Sequence, residues 1–253
     1  MIQSVDRAIR VLTALQGARR MSLSELSARL DLAPSTTHGI VRTLVEHGMV
    51  VQEHGSSRYQ LGPAVLRLGN VYLDTLELRS KAIPWAEDLA RRTRLAVRTG
   101  VLLLDDVVII HHEARPDGSR QMPEVGIVIP VHASALGKAM LAFLPDDEER
   151  VVGSGSLRSM TGETITSARG LREQLAEVRS SGIAVEQDEA VLGEGSLASP
   201  VFDASDTAVG AIGVVIQSGN AADRRDAGDA VRETARAISR ELGAAAWPPR
   251  LAG

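Results

Sequence analysis

The apolar pattern changes period once within the first 62 residues, at Gly48, and that switch restricts the amino-terminal fold more than any other feature. Before it, Val5, Ala8, Ile9, Leu12 and Leu15 recur at helical spacing up to Gly17. Ser22 and Glu25 form an S-x-x-E capping box, and Leu23, Leu26 and Leu30 continue one face of a second helix. Pro34 suits the first turn of a third helix, with Ile40, Val41, Leu44 and Val45 as its apolar stripe and Gly48 as its stop. Beyond Gly48, residues 49–53 and 58–61 read as strands around the turn-rich segment 54–57, a β-hairpin. Three helices and a hairpin make a winged helix-turn-helix, whose third helix enters the major groove while the hairpin lies along the backbone.

The whole chain has 253 residues, enough for two domains, and its 44% hydrophobic and 24% charged content is that of a folded protein. Cysteine is absent, so disulfides, zinc-thiolate sites, iron–sulfur clusters and thiol nucleophiles are excluded. The apolar runs at 101–104 and 107–110 are far too short for a bilayer span, and the first residues lack the basic and apolar regions of a secretory signal. A cytoplasmic protein without membrane contact is expected. Net charge is −4, but residues 1–60 carry seven Arg against five acids, a balance of +2 that leaves −6 for the remainder. The head is the basic part.

After the head, Val65, Leu68, Tyr72 and Leu76 mark a linker helix, and residues 79–93 a further helix broken early by Pro84. Residues 96–104, 107–113, 127–131, 183–186, 197–202 and 209–216 read as strands, and 134–144, 167–181 and 222–242 as helices. Strands joined by turns such as Asp105-Asp106 imply an antiparallel sheet with flanking helices, so the fold class is α+β. The boundaries this suggests are 1–62 for a DNA-binding domain, 63–78 for a linker and dimerisation helix, 79–245 for an effector-binding domain and 246–253 for a disordered tail.

Five segments in order, Gln3-Ser4-Val5-Asp6-Arg7-Ala8, Leu23-Ser24-Glu25-Leu26, Ser35-Thr36-Thr37-His38, Arg58-Tyr59-Gln60-Leu61-Gly62 and His132–Ala139, resemble the IclR family of bacterial transcription regulators over about residues 3–243. Thr37–Ile40, Leu68-Gly69-Asn70, Glu77-Leu78-Arg79, His111-His112, Arg115-Pro116-Asp117 and Ser119-Arg120-Gln121 resemble its glycerol-operon regulator branch. The resemblance implies a winged helix that binds operator DNA, a linker helix that dimerises and a GAF-like ligand-sensing domain. It further implies a homodimer or homotetramer acting as a repressor.

Hydroxyls at a helix amino terminus donate to phosphate oxygens, and the helix dipole favours the same anion. Ser35 and Thr36 are therefore the first candidates for DNA contact, followed by Thr37, His38 and Arg42, with Arg58 on the wing. The alternative reading makes Ser35 a helix cap and Arg42 the partner of Glu46 at i,i+4.

At the sensing end, the turn leading into Ser134, Ala135 and Leu136 offers backbone N–H groups to an anion. The resemblance places Asp188 and Ser196 across the pocket. Gly195-Ser196 and the final strand's Gly213 and Val215 depart from commoner family residues and make that wall less polar. Arg115, Arg120 and either His111 or His112 supply a second positive cluster, His112 being the one taken as a site residue, and the branch resemblance implies glycerol or glycerol 3-phosphate as effector; a sugar acid or aromatic acid is the alternative.

His111-His112-Glu113, with His132, invites a metal reading, but adjacent strand residues point to opposite faces, so neither metal nor cofactor is expected. No catalytic constellation assembles either. Gly193-Glu194-Gly195-Ser196-Leu197 lacks the second glycine of a nucleophile elbow, and Gly153-Ser154-Gly155-Ser156 lacks the lysine of a phosphate loop, so no enzyme is expected.

Overall fold

The structure is a computed structural model and describes residues 2–153, 155, 157–217 and 223–249. Residues up to Thr75 form one compact unit, and those from Leu76 onward a second.

In the first unit, α1 (Gln3–Ala18), α2 (Leu23–Leu30) and α3 (Pro34–Glu46) pack around Val11, Leu15, Leu26, Leu30, Val41 and Leu44. The capping box forms as its spacing requires: the Glu25 N–H donates to Ser22 Oγ at 3.2 Å, and the Ser22 N–H donates to Glu25 Oε2 at 2.7 Å. Pro34 opens α3, and Gly48 follows its end at φ 68°, a conformation that favours glycine. The wing is β2 (Val50–Gln52) paired with β3 (Arg58–Leu61). A third strand escapes sequence reading: β1 (Met21–Ser22) pairs with the other edge of β3, but two residues carry no periodicity. Helix α4 (Pro63–Thr75) closes the unit. It stops at Thr75 rather than running to residue 78, because Leu76 is extended and Leu78 is buried in the second unit.

The second unit begins with α5 (Glu77–Thr93). Its sheet consists of β4 (Ala96–Leu103), β5 (Asp106–Glu113), β6 (Val128–Pro130), β7 (Ala184–Gln187), β8 (Glu194–Phe202) and β9 (Ala208–Gln217). Among the described residues these six strands are antiparallel, in the order β6-β5-β4-β9-β8-β7. Helix α6 (Ala135–Leu141) packs on one face, while α5 and α9 (Asp223–Glu241) cover the other. Predicted residue 222 lies outside the described residues. The α6 side also carries α7 (Pro145–Gly153) and α8 (Ala168–Ser181), which enclose a core of Leu136, Met140, Leu141, Phe143, Leu171, Leu175 and Phe202. Strand β8 starts at Glu194, three residues before the predicted 197, so Glu194 and Ser196 belong to the sheet.

The expected disordered tail is ordered as far as it is described. Trp247 is half-buried, donates from Nε1 to the Pro200 carbonyl at 2.9 Å and lies 5.5 Å from the Arg236 guanidinium. Among the described residues no helix is long and apolar enough to cross a membrane.

Candidate functional sites in head and sensing domain

Helix α3 divides its residues cleanly. Thr37, Val41 and Leu44 are buried, whereas Ser35, His38 and Arg42 are exposed and Thr36 is half-buried. Ala33 occupies the N-cap position and makes no side-chain cap bond, so Ser35 sits inside the helix with its hydroxyl not engaged as a cap. Thr37 is removed from the DNA-contact set. It is 0% exposed and its hydroxyl donates back to the Ala33 carbonyl at 3.3 Å, because the fourth position of this helix turns towards the core. Arg42 pairs with Glu46 at 3.2 Å, both side chains well exposed, a contact of about 0.3–0.5 kcal/mol that opens readily to a phosphate. On the wing, Arg58 meets Glu25 at 3.2 Å, also in the open. Both arginines are thus accessible and only loosely held.

On the sheet of the second unit, alternation places Ala96, Arg98, His112, Glu194, Ser196, Gly213, Val215 and Gln217 on the α6 face. Beyond the start of α6 a cavity of about 310 Å³ opens on this face, near the lower limit for small-molecule sites. Arg98, His112, Glu194, Val215 and Gln217 form its floor, Arg115, Gln121 and Met122 one side and Val191 and Leu192 the other. Ser134, Ala135, Leu136 and Ser196 line a separate space of only about 20 Å³, room for roughly one water. Arg98 lines both.

The predicted residues Ser134, Ala135, Leu136 and Ser196 are thus brought together, but at a tight turn whose polar groups bond within the protein. Ser134 Oγ accepts the Gly137 N–H at 3.0 Å, so hydroxyl and amide satisfy one another, and the residue is 5% exposed. The turn is tight as well: a Cβ at Gly137 would stand 2.0 Å from the Val131 carbonyl oxygen. Ser196 likewise gives its hydroxyl to Glu186 at 2.9 Å. Asp188 does not line this cavity but a larger, more open one of about 640 Å³ beside Gln187 and Glu189; its backbone is left-handed at φ 58°, and its carboxylate accepts the Gly193 N–H at 2.6 Å, closing the β7–β8 turn. Arg120 is exposed and absent from the cavity wall, where Gln121 stands instead, held by the Arg115 backbone at 2.9 and 3.2 Å. His112 and Val215 do line the cavity.

The polar centre is one that sequence reading did not find. Arg98, 14% exposed, is gripped by Glu124 through Nε and through Nη2 at 2.9 Å, and by Glu194 through Nη1 at 2.6 Å. Burial works against the Arg98 charge, but the hydrogen bonds and charges of Glu124 and Glu194 outweigh it and push its pKa above even the usual guanidinium value. Burial lifts Glu124, yet the Arg98 bonds and charge, helped by His112, hold its carboxyl below the ordinary glutamate value.

A second buried cluster fastens α6 to the β7–β8 turn. Lys138, 0% exposed, donates to Glu189 Oε1 at 2.6 Å and to Gln174 at 2.7 Å. Burial lowers the lysine's pKa, and the Glu189 carboxylate opposes that shift. Burial raises the pKa of Glu186 beside it.

On the opposite sheet face His111 stands across from Thr99, its pKa lowered by burial, by Arg79 and by His112. The two adjacent histidines thus face different surroundings. Among the described residues no group of three or more His, Asp or Glu is arranged to hold a metal.

A helix-turn-helix head with an exposed, hydroxyl-bearing third helix, followed by an α+β unit with a polar cavity, defines a ligand-responsive transcriptional regulator. Residues 4–54 match the IclR helix-turn-helix domain, and residues 70–240 match the C-terminal domain of bacterial IclR transcriptional regulators. The chain belongs to the IclR family. It is 44% identical over 248 residues to the glycerol operon regulatory protein of Streptomyces griseus, spanning 96% of this chain and 97% of that one. It is 40% identical over 250 residues to the protein of that name from Streptomyces coelicolor, again spanning 96% and 97%. An IclR transcriptional regulator from Alicyclobacillus acidocaldarius has the same fold, with a TM-score of 0.82 at 28% identity over 96% of this chain and 100% of that structure. The family and these relatives are transcriptional regulators, not enzymes, and membership implies binding of DNA and of a small-molecule effector.

Proposed function

We propose that this chain represses an operon for glycerol use, reading its operator with α3 and the wing and sensing glycerol or glycerol 3-phosphate in the cavity around Arg98. The observation that carries the DNA side is the split of α3, with Ser35 exposed and Thr36 half-exposed in the first turn, where the helix dipole favours phosphate, and with His38 and Arg42 exposed further along. Two copies act together, because a head with a balance of only +2 gains affinity by reading two half-sites about 34 Å apart. Leu68, Val71 and Tyr72 of α4, all more than half exposed, supply an apolar face for that pairing. The names of the Streptomyces relatives support the glycerol assignment.

Effector binding changes DNA affinity only if the ligand prefers one of the two states, DNA-bound or free. The test is to select a duplex from a randomised pool with the full-length protein and titrate it with and without glycerol and glycerol 3-phosphate. Saturable, sequence-dependent binding that one of these ligands weakens is expected. Binding indifferent to both ligands overturns the glycerol reading, and failure to select any sequence overturns the operator reading.

A further inference from the structure

The cavity holds one feature that its assignment as an effector site does not use: three of its arginine's five N–H donors are already held by carboxylates. Arg98 gives three hydrogen bonds to two carboxylates, two of them to Glu124 in a bidentate grip. The neighbouring cation, Arg115, is paired as well, with Asp117 at 3.4 Å. Two carboxylates against one guanidinium leave an excess negative charge in the cavity floor, and Glu186 lies buried behind Ser196 on the same sheet face. Among the described residues Glu194 Oε2 takes no hydrogen bond, so an acceptor is available at the cavity edge.

An incoming phosphate or carboxylate that takes Arg98 would have to break a bidentate, largely desolvated pair and then lie beside the carboxylate it displaced, and one that takes Arg115 would have to displace Asp117 and lie within reach of Glu124. A hydroxyl compound meets no such obstacle. Its O–H groups donate to the carboxylates and accept from the Arg98 N–H groups that remain, leaving the clamp intact.

We infer that Glu124 and Glu194 are specificity-determining residues that make the cavity select an uncharged polyol and reject its anionic ester. This rests on the reading of the cavity as the effector site and decides between the two ligands named for it. Selection here works chiefly through rejection, by like charge and by an arginine made unavailable.

The experiment is ligand-observed saturation-transfer NMR on the full-length protein, titrating glycerol and glycerol 3-phosphate against wild type, Glu124→Gln and Glu194→Gln. Wild type should bind glycerol at least about tenfold more tightly than its phosphate. Glu124→Gln removes one unit charge close to the ligand and frees Arg98, so phosphate binding should strengthen by about tenfold or more while glycerol binding changes little. Glu194→Gln, at a more exposed position, should shift the preference in the same direction and serves if Glu124→Gln fails to fold. Wild type that binds glycerol 3-phosphate as well as or better than glycerol overturns the inference and leaves the cavity as the effector site. Wild type that binds neither overturns the inference together with the glycerol assignment of the cavity.

Discussion

Replacing Arg98 with Met keeps most of the side-chain volume and leaves Glu124 and Glu194 facing each other without their cation. Removing one partner from a buried pair costs about 3–5 kcal/mol. The three side chains retain 14%, 21% and 33% exposure, so water screens part of the repulsion and the expected loss falls to about 2–3 kcal/mol. In a domain of this size that lowers the melting midpoint by about 5–10 °C. The deficit depends on pH in a definite direction. Glu124 has a folded-state pKa below its unfolded value, so the pair's contribution is complete above the unfolded pKa and is lost as pH falls through the folded one. Wild type and variant should therefore differ most near neutrality and begin to converge as pH falls below the ordinary glutamate value, about 4.3. Scanning calorimetry at pH 7 and pH 4 measures the difference. Adding Glu124→Gln to the Arg98→Met variant should restore at least about 1 kcal/mol at pH 7, since it removes the repulsion. An unchanged midpoint at pH 7, or a double variant no more stable than the single one, refutes the clamp as an energetic unit.

Arg42→Ala should weaken DNA binding and reduce the salt slope by about 0.9, the loss of one phosphate contact, while changing stability by less than about 0.5 kcal/mol. Binding titrations at several salt concentrations check this, and an unchanged slope removes Arg42 from the interface. Thr37→Val serves as its counterpart: the side chain is buried, so DNA affinity should stay within about twofold, as the same titration reads. Gly137→Ala places a methyl group 2.0 Å from the Val131 carbonyl oxygen and should destabilise the second unit by more than about 3 kcal/mol, seen as a lost or strongly lowered thermal transition. A midpoint within a few degrees of wild type contradicts the close packing of that turn.

Local chemistry explains which parts of the fold were legible in the sequence. Ser22 with Glu25, Pro34 and Gly48 set helix boundaries through contacts only a few residues long, and their positions fix α2 and α3. Helix α7 carries the same kind of signal, Pro145 followed by Asp146, Asp147 and Glu148, yet its buried face is only Val151 and Val152, too short for periodicity to mark it as a helix. The Arg98 clamp is a different matter. Its partners lie 26 and 96 residues away, and nothing near Arg98 marks them; only strand register and the path of the chain after β5 bring them together. Asp188 and Arg120 went astray for related reasons: a left-handed backbone turns the first towards Gly193, and a one-residue difference in position puts Gln121 on the wall and leaves the second in solvent.

The cavity wall at 115–124 and the first residue of β8, Glu194, are tied together by a guanidinium on β4, a central strand. The hydrogen-bond ladder between β4 and β9 is made of backbone and is indifferent to what the connecting segments contain. Segment length and composition can therefore drift over generations without unravelling the scaffold, provided some residue still answers the buried cation. Such an arrangement leaves effector preference to short stretches of chain and makes the anchoring charge the part whose replacement costs the scaffold most.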